Sequence, residues 1–379
     1  MAGIYIHIPF CKKRCIYCDF FSTTKSEKIK EYINALCIEL KSRKEYLCEE
    51  EEEEVETIYL GGGTPSQLNI NELKKVLDTI YSEYPVSDNA EITLEANPDD
   101  LTDEYIKSLS KLPINRLSIG IQTFNDSILK LLNRRHTANQ AIDAYKKCRQ
   151  AGFSNISIDL MYGLPGESAE TWQHDLSTAI NLNPEHISAY HLIYEEDTVL
   201  YKLKEENKVQ ETEEELSIKL FEMLIHQLKA NGYEHYEISN FCHKGYHSRH
   251  NSSYWTGIKY LGCGPSAHSY NGNSRQWNIS SLEKYIEGMN TGINISETEI
   301  LDLYTRYNDF VITTIRTKWG MPLCKLKSDF GLKLYNYCIN NAKKHIKQGT
   351  LEIIDNTLKL TEKGIFISDG IMSDLLYVD

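Results

Sequence analysis

Three cysteines near the start of the chain have the spacing of a metal-cluster site. Residues 6–22 read "IHIPFCKKRCIYCDFFS", which places Cys11, Cys15 and Cys18 in one loop behind an apolar stretch. Structural zinc sites are closed by four protein ligands, whereas an iron–sulfur cubane held by three thiolates keeps one iron open for an outside ligand. The spacing therefore predicts an iron–sulfur cluster rather than zinc.

No natural fourth ligand follows these three thiols. His7 is expected on the strand before the loop, and Asp19 comes directly after it. Cys37 falls on the packing face of the next helical pattern, and we expect it, Cys148 and Cys338 to be plain core residues. Ten cysteines in an intracellular chain favour free thiols or metal ligands over a disulfide framework.

Alternating strands and helices must position the cysteine loop. Between residues 1 and 230, amphipathic helical patterns follow six short apolar segments, "GIYIHI", "ETIYL", "AEITLEA", "NRLSIGI", "NISIDLMY" and "HISAYHLIY". Short parallel strands joined by helices form an open doubly wound sheet or a barrel, and six units indicate an incomplete version of the eight-fold barrel. We therefore expect an α/β fold, a partial (β/α)6 barrel with an additional C-terminal α+β domain.

Polar or glycine-rich segments follow five of these strands. The cysteine loop follows the first, and "GGGTPS", "EANPD", "QTF" and "DLMYGLPGE" follow or close the next four. Ligands of such folds gather at the carboxyl ends of the strands. The five loops are therefore predicted to converge on one face.

The cysteine spacing resembles that of the radical S-adenosylmethionine (SAM) family. In that family the open iron of a [4Fe-4S] cluster chelates SAM, and one electron from the cluster cleaves SAM to a 5'-deoxyadenosyl radical. The resemblance implies that "GGGTP", through Gly63 and Thr64, contacts the amino group of SAM. Glycine allows a close approach of the backbone, although a structural turn would explain the segment as well.

A narrower resemblance extends over nearly the whole chain. The segments "YIHIPFC", "GGGTPS", "LEANPD", "GIQTFNDSILKLLNR" and "IDLMYGLPGE" are similar to the oxygen-independent coproporphyrinogen III oxidase group of radical SAM proteins. Carboxylates, an amide and a guanidinium suit the ribose hydroxyls and the carboxylate of SAM, although each could also be only a strand-end hydrogen bond. In that group the SAM contacts fall on positions matching Tyr5, Tyr17, Gly63, Thr64, Glu95, Gln122, Arg134 and Asp159.

Two departures separate this chain from the decarboxylating oxidase itself. The oxidase has a further cysteine two residues after the third ligand, where this chain has Phe20. The oxidase also carries a long segment before the cysteine strand, whereas four residues precede Tyr5 here. Both departures favour the shorter, heme chaperone branch of the group. The alternative is an enzyme, either the decarboxylase that forms protoporphyrinogen IX or another radical SAM enzyme acting on a tetrapyrrole.

The heme chaperone branch carries the motif "HNSSYW", which occupies residues 250–255. A histidine beside aromatic residues can ligate heme iron while the rings cover the macrocycle, but it is also often a packing residue. The resemblance makes His250 the proposed heme contact. Four other residues remain as alternative ligands, namely His243, His247, His268 and Cys263.

The pattern divides the 379 residues into three parts. We expect a radical SAM partial barrel with the cluster and the SAM site over 1–230. An aromatic- and histidine-rich linking region without helical period, containing "HNSSYW", covers 231–299. Residues 300–379 show helices and a hairpin of winged-helix type, and we interpret this part as a packing or lid module.

Charge and hydropathy restrict the partners. The net charge of −13 argues against nucleic acid, whose binders cluster Lys and Arg. No apolar run is long enough to cross a bilayer and no secretory signal is visible, so we expect a cytoplasmic protein. The acidic run "CEEEEEEVE" over 48–56 is predicted to be a solvated helix end or loop.

The resemblance implies a protein that binds a [4Fe-4S] cluster, SAM and heme. It further implies delivery of heme to heme-dependent proteins such as respiratory cytochromes, which would require peripheral contact with the membrane. The sequence leaves the electron donor open, as it does cleavage of SAM, covalent attachment of heme and the choice between a monomer and a homodimer.

Overall fold

The computed structural model describes residues 1–47 and 53–378. Residues 48–52, which carry most of the acidic run, lie outside the described residues, so its prediction as a solvated segment stays a prediction. No helix within the described ranges is long and apolar enough to cross a membrane.

Six parallel strands form the centre of the molecule. They are β1–β6, at Ala2–Ile8, Val55–Gly62, Val86–Ala96, Arg116–Gln122, Ile156–Tyr162 and His186–His191. Each pairs with the next in chain order and all pairs are parallel. Most of their residues are buried, as expected of parallel strands covered on both faces. The predicted six strand–helix units are confirmed.

Eight helices connect and cover these strands. They are α1–α8, at Ile29–Ser42, Ile70–Glu83, Asp103–Leu109, Asp126–Leu131, Ala138–Gln150, Ala169–Leu182, Val199–Glu205 and Glu214–Ala230. Thr102 caps α3 as predicted, because its side chain accepts a hydrogen bond from the N–H of Tyr105. Cys37 on α1 and Cys148 on α5 are buried in the core, which confirms their prediction as packing residues.

Residues 231–300 extend the sheet at both edges. They contribute six strands, β7–β12, at Glu234–Glu237, Asn240–Cys242, Lys259–Cys263, His268–Tyr270, Ser274–Asn278 and Ser296–Ile300. They also contribute two helices, α9 at Arg249–Thr256 and α10 at Leu282–Thr291. The resulting order is β12-β11-β10-β9-β1-β2-β3-β4-β5-β6-β8-β7, in which β9 runs parallel to β1. The prediction that this region has no helical period is wrong, since α9 and α10 form there. The eight residues of α9 span only about two turns, too few for a clear period in the sequence.

The last part of the chain packs around a second hydrophobic cluster. Its elements are α11 at Leu303–Ile315, β13 at Met321–Pro322, α12 at Leu323–Gln348, β14 at Leu351–Ile354, β15 at Thr357–Leu360, α13 at Glu362–Ile365 and α14 at Ser368–Leu375. Asp355 and Asn356 both have positive φ, which gives the tight turn of the predicted β14–β15 hairpin. Cys338 is buried in this cluster, as predicted.

Candidate functional site

A cavity of about 470 Å³ lies at the carboxyl ends of the central strands. Because parallel strands end at the same edge, residues far apart in sequence meet here. The walls include most of the predicted site residues, namely Cys11, Cys15, Cys18, Tyr17, Gly63, Thr64, Glu95, Gln122, Arg134 and Asp159. Two predicted residues, Tyr5 and His250, are not part of the walls.

The three cysteines are half-buried free thiols at one end of this cavity. The N–H of Cys11 donates to the carbonyl of Thr23 at 2.9 Å, which fixes the start of the loop. Thr64 Oγ1 donates to Cys11 Sγ at 3.3 Å, and Arg134 Nη1 donates to Cys15 Sγ at 3.4 Å. Burial raises the pKa of the Cys11 thiol, and the hydrogen bond from Thr64 opposes this effect by favouring the thiolate, which is the form that binds iron.

The donor set fits a cluster better than a single ion. In the described part of the chain, no three His, Cys, Asp or Glu side chains converge closely enough to hold one metal ion. Three thiolates that each bind a different iron of a cubane stand further apart than the ligands of one ion. The loop is therefore compatible with an iron–sulfur cluster.

Gly63 lies in the loop after β2 and packs closely against the backbone that leads into the cysteine loop. Its N–H donates to the carbonyl of Ile8 at 2.8 Å. A Cβ on Gly63 would lie 2.9 Å from that carbonyl oxygen and 3.0 Å from the carbonyl oxygen of Phe10. Only glycine allows this close approach, which also sets Thr64 beside Cys11.

Two half-buried carboxyl groups line the cavity further inside the barrel. Glu95 accepts from the hydroxyl of Tyr59 at 2.7 Å and from the N–H of Gly62 at 3.2 Å, and burial raises its pKa to about 7. Asp159 accepts from Ser118 Oγ at 3.1 Å, and burial raises its pKa as well. Neutral donors thus contact both groups, and carboxylate oxygens can each accept more than one hydrogen bond, so a hydroxyl or ammonium donor of a ligand can still bind.

Gln122 and Arg134 complete the wall at the end of β4. Gln122 has a positive φ of 71°, an uncommon conformation that turns the backbone at the last residue of the strand. Arg134 donates to Asn97 Oδ1 at 2.8 Å and to the carbonyl of Gly120, besides its contact with Cys15. A guanidinium held this way at the cluster loop can receive a carboxylate.

Tyr5 does not line the cavity, although it lies next to a residue that does. Its hydroxyl is 3.1 Å from Nδ1 of His7, whose Nε2 contacts the carbonyl of Phe21 at 2.9 Å. Because that carbonyl can only accept, Nδ1 of His7 accepts from Tyr5. Tyr5 pairs in register with Tyr59 on β2, and the two rings stack with 6.1 Å between centroids, so Tyr5 lies beside a residue that lines the cavity.

His250 is buried and both its ring nitrogens have partners. Nδ1 lies 2.8 Å from Thr57 Oγ1, and Nε2 lies 2.9 Å from the hydroxyl of Tyr254. Its ring stacks on Tyr59 with 5.1 Å between centroids. Burial, with the charge of Arg116, lowers the pKa of His250 to about 3, so the ring is neutral at neutral pH. To ligate iron, it must first give up one of these hydrogen bonds.

The alternative ligands also stand outside the cavity wall. His243 stacks on Tyr233 at 4.0 Å, and Nε2 of His247 lies 2.9 Å from Nζ of Lys318. His268 is exposed on β10, and Cys263 is fully buried on β9. The residue of "HNSSYW" that does line the cavity is Asn251.

Several lining residues carry no prediction from the sequence, among them Tyr59, Asn97, Arg116, Ser118, Ser188, Tyr190 and Asn251. One signal could have identified part of this set. In "RLSIGIQ" every second residue of β4 is polar or glycine, and such residues share one face of a strand. The strand alternates because one of its faces lines a polar interior rather than the hydrophobic core.

Family models match two parts of the chain. The Radical SAM superfamily matches residues 5–179, and the HemN C-terminal domain matches residues 301–367. The solved structure of coproporphyrinogen III oxidase (HemN) from Escherichia coli, a radical SAM enzyme, has a TM-score of 0.86 at 22% identity over 99% of this chain and 90% of that chain. This likeness confirms the predicted fold, and the superfamily implies a [4Fe-4S] cluster and SAM.

Curated relatives match over the full length. Heme chaperone HemW of Bacillus subtilis is 33% identical over 99% of both chains. Heme chaperone HemW of Lactococcus lactis is 34% identical over 99% of this chain and 97% of that protein. The protein of that name from Buchnera aphidicola (strain Sg) is 40% identical over 70% of this chain and 69% of its own. The chain therefore belongs to the radical SAM superfamily and, within it, to the family of the heme chaperone HemW.

Proposed function

We propose that this chain is a heme chaperone that binds a [4Fe-4S] cluster, SAM and heme and delivers heme to heme-dependent proteins such as respiratory cytochromes. The full-length similarity to proteins named heme chaperone HemW carries the proposal. The cavity supports it, because its walls combine three thiols with polar groups suited to a nucleoside and to carboxylates.

Cys11, Cys15 and Cys18 would hold the cluster, which when bound supplies an open iron and single electrons at low potential. Arg134, between Cys15 and the end of β4, is placed to receive the carboxylate of SAM. Gly63 and Thr64 are close enough to the cysteine loop to contact a ligand there. These contributions are binding and orientation.

Five further residues complete the proposed SAM site. Glu95, Asp159 and Gln122 lie on the inner wall, where their oxygens suit ribose hydroxyls. Tyr17 lies in the cysteine loop and lines the same cavity. Tyr5 is proposed to act through Tyr59, since the two rings stack and Tyr59 reaches the wall.

His250 is the proposed heme ligand, and its use requires a local change. The Tyr254 hydroxyl occupies Nε2 and Thr57 occupies Nδ1. An outward shift of α9 would separate Nδ1 of His250 from Thr57 on β2, whereas Nε2 becomes free when the Tyr254 side chain rotates away from it on the same helix. Heme binding is thereby coupled to movement of the "HNSSYW" helix.

The proposed division of the chain follows the sequence boundaries, with 1–230 for the cluster and SAM, 231–299 for the segment with His250, and 300–379 as a packing or lid module. The proposed setting is the cytoplasm, with peripheral contact where recipients are membrane-bound respiratory enzymes. Nucleic acid is not a proposed partner.

One anaerobic experiment tests the function. The full chain is reconstituted with iron and sulfide, supplied with SAM and a reductant, and offered coproporphyrinogen III in one sample and heme in another. A stable heme spectrum without formation of protoporphyrinogen supports the chaperone. Appearance of protoporphyrinogen would overturn it in favour of the decarboxylase, although Phe20 stands where the oxidase has its further cysteine.

A further inference from the structure

The cavity extends from the cysteine loop down to a buried arginine. Arg116 is the first residue of β4 and only 1% exposed, yet its side chain lines the cavity. Its Nε has no hydrogen-bond partner. Among the described residues, no carboxylate forms an ion pair with it. A buried guanidinium without a counterion is costly, and this cost is recovered when an anion binds.

The nearby carboxyl groups do not serve as that counterion. Glu95 is held by Tyr59 and the backbone of Gly62, and Asp159 is held by Ser118. Arg116 acts on the pKa of both carboxyl groups through its charge, but neither group forms an ion pair with it. The guanidinium of Arg116 can therefore donate two parallel hydrogen bonds to one carboxylate.

Asn251 supplies a second polar group at the same cavity. It lies on α9, next to His250, and its side chain lines the cavity while that of His250 does not. Its backbone N–H donates to Ser248 Oγ at 3.3 Å, which holds it in the first turn of the helix. An amide and a guanidinium that line one cavity can both donate hydrogen bonds to a carboxylate.

We propose that Arg116, assisted by Asn251, binds a carboxylate of the cargo, which for heme is a propionate. This inference rests on the proposed heme-chaperone function and names the part of heme that enters the barrel. SAM also carries a carboxylate, which is the other candidate ligand for Arg116. It is proposed to bind at Arg134, which contacts the carbonyl of Gly120, four residues or roughly 13 Å along β4 from Arg116.

The test compares hemin with hemin dimethyl ester, in which both propionates are blocked. The reconstituted full chain is titrated with each compound and followed by absorbance. The wild type is expected to bind hemin roughly tenfold to a hundredfold more tightly than the ester, as one charge-assisted pair provides. Arg116→Gln should bind hemin as weakly as the wild type binds the ester, and its affinity for the ester should be unchanged.

Arg14→Gln is the matched control, because Arg14 lines the mouth of the same cavity but is exposed. It should keep the preference for hemin. A preference that persists in Arg116→Gln, or disappears in Arg14→Gln instead, would overturn the inference. Arg116→Gln should bind SAM as the wild type does. If this variant loses SAM binding but still prefers hemin to the ester, Arg116 binds SAM and the inference is wrong.

Two further measurements separate the inference from folding and from the function. Arg116→Met should melt at or above the wild-type temperature, since it removes an unpaired buried charge. The wild-type comparison of hemin with the ester needs no variant. Equal binding of the two compounds overturns this inference alone, whereas no binding of hemin overturns the proposed function and this inference with it.

Discussion

The hydroxyl of Tyr254 lies 2.9 Å from Nε2 of His250, one turn further along α9. Residues four apart share a helix face, so the spacing of histidine and tyrosine in "HNSSYW" matches a paired side-chain contact. Thr57 on β2 binds the opposite nitrogen. The motif therefore holds a neutral imidazole in a closed position, from which Tyr254 is the partner to be released.

If His250 ligates heme, loss of the hydrogen bond between Tyr254 and Nε2 of His250 should increase the affinity for heme. Tyr254→Phe frees Nε2 while keeping the ring, so heme affinity should rise by about fivefold, the equivalent of one net hydrogen bond of about 1 kcal/mol. His250→Ala should weaken heme binding and leave iron content unchanged. Heme titration by absorbance measures both. His174→Ala, at an exposed histidine of α6, is the control, and unaltered binding by His250→Ala would move the ligand elsewhere.

Replacement of a loop cysteine tests the cluster. Cys15→Ala should abolish cluster assembly, because three thiolates leave no spare ligand. Iron and sulfide per chain after anaerobic reconstitution are the measurement. Cys324→Ala, at an exposed cysteine of α12, should retain the full complement. Full iron content in Cys15→Ala would contradict the assignment of the loop.

The sequence predicted the barrel because its strands are short apolar runs and its helices have clear periods. It also predicted which loops meet, since parallel strands share a carboxyl edge. It did not predict that His250 is covered, because the motif gives residue types but not the face of α9 that packs on β2. Arg116 was missed because polar and apolar residues alternate along β4. The same alternation is typical of a strand with one solvent-exposed face, so it does not by itself indicate a polar barrel interior.

The hydrogen bond from Thr64 to Cys11 should raise the reduction potential of the cluster. Hydrogen bonds to the sulfurs stabilise the more negative, reduced state, so Thr64→Val should lower the potential, by about 40 mV for a bond of about 1 kcal/mol. A redox titration followed by EPR measures the change. Thr79→Val is the matched control, because Thr79 Oγ1 donates to the core thiol of Cys37 at the same 3.3 Å. An equal shift in both variants, or none in Thr64→Val, would contradict this role.

Glu167 closes the loop after β5 and should make stability depend on pH. Its carboxylate accepts from the N–H groups of Gly163 at 2.7 Å and Leu164 at 3.2 Å, and burial raises its pKa from 4.5 to about 8. Between these values the folded state binds more protons than the unfolded state, so its stability falls as pH rises, by roughly 1 kcal/mol per pH unit.

Glu167→Gln keeps an oxygen for both N–H groups but does not titrate. Its melting temperature should therefore fall less than that of the wild type between pH 5 and 8, whatever constant offset the new amide brings. Glu222→Gln, at an exposed glutamate of α8, controls for the loss of one charge and should follow the wild type. Parallel curves for the wild type and Glu167→Gln would show that this carboxyl ionises at its ordinary pKa despite its burial.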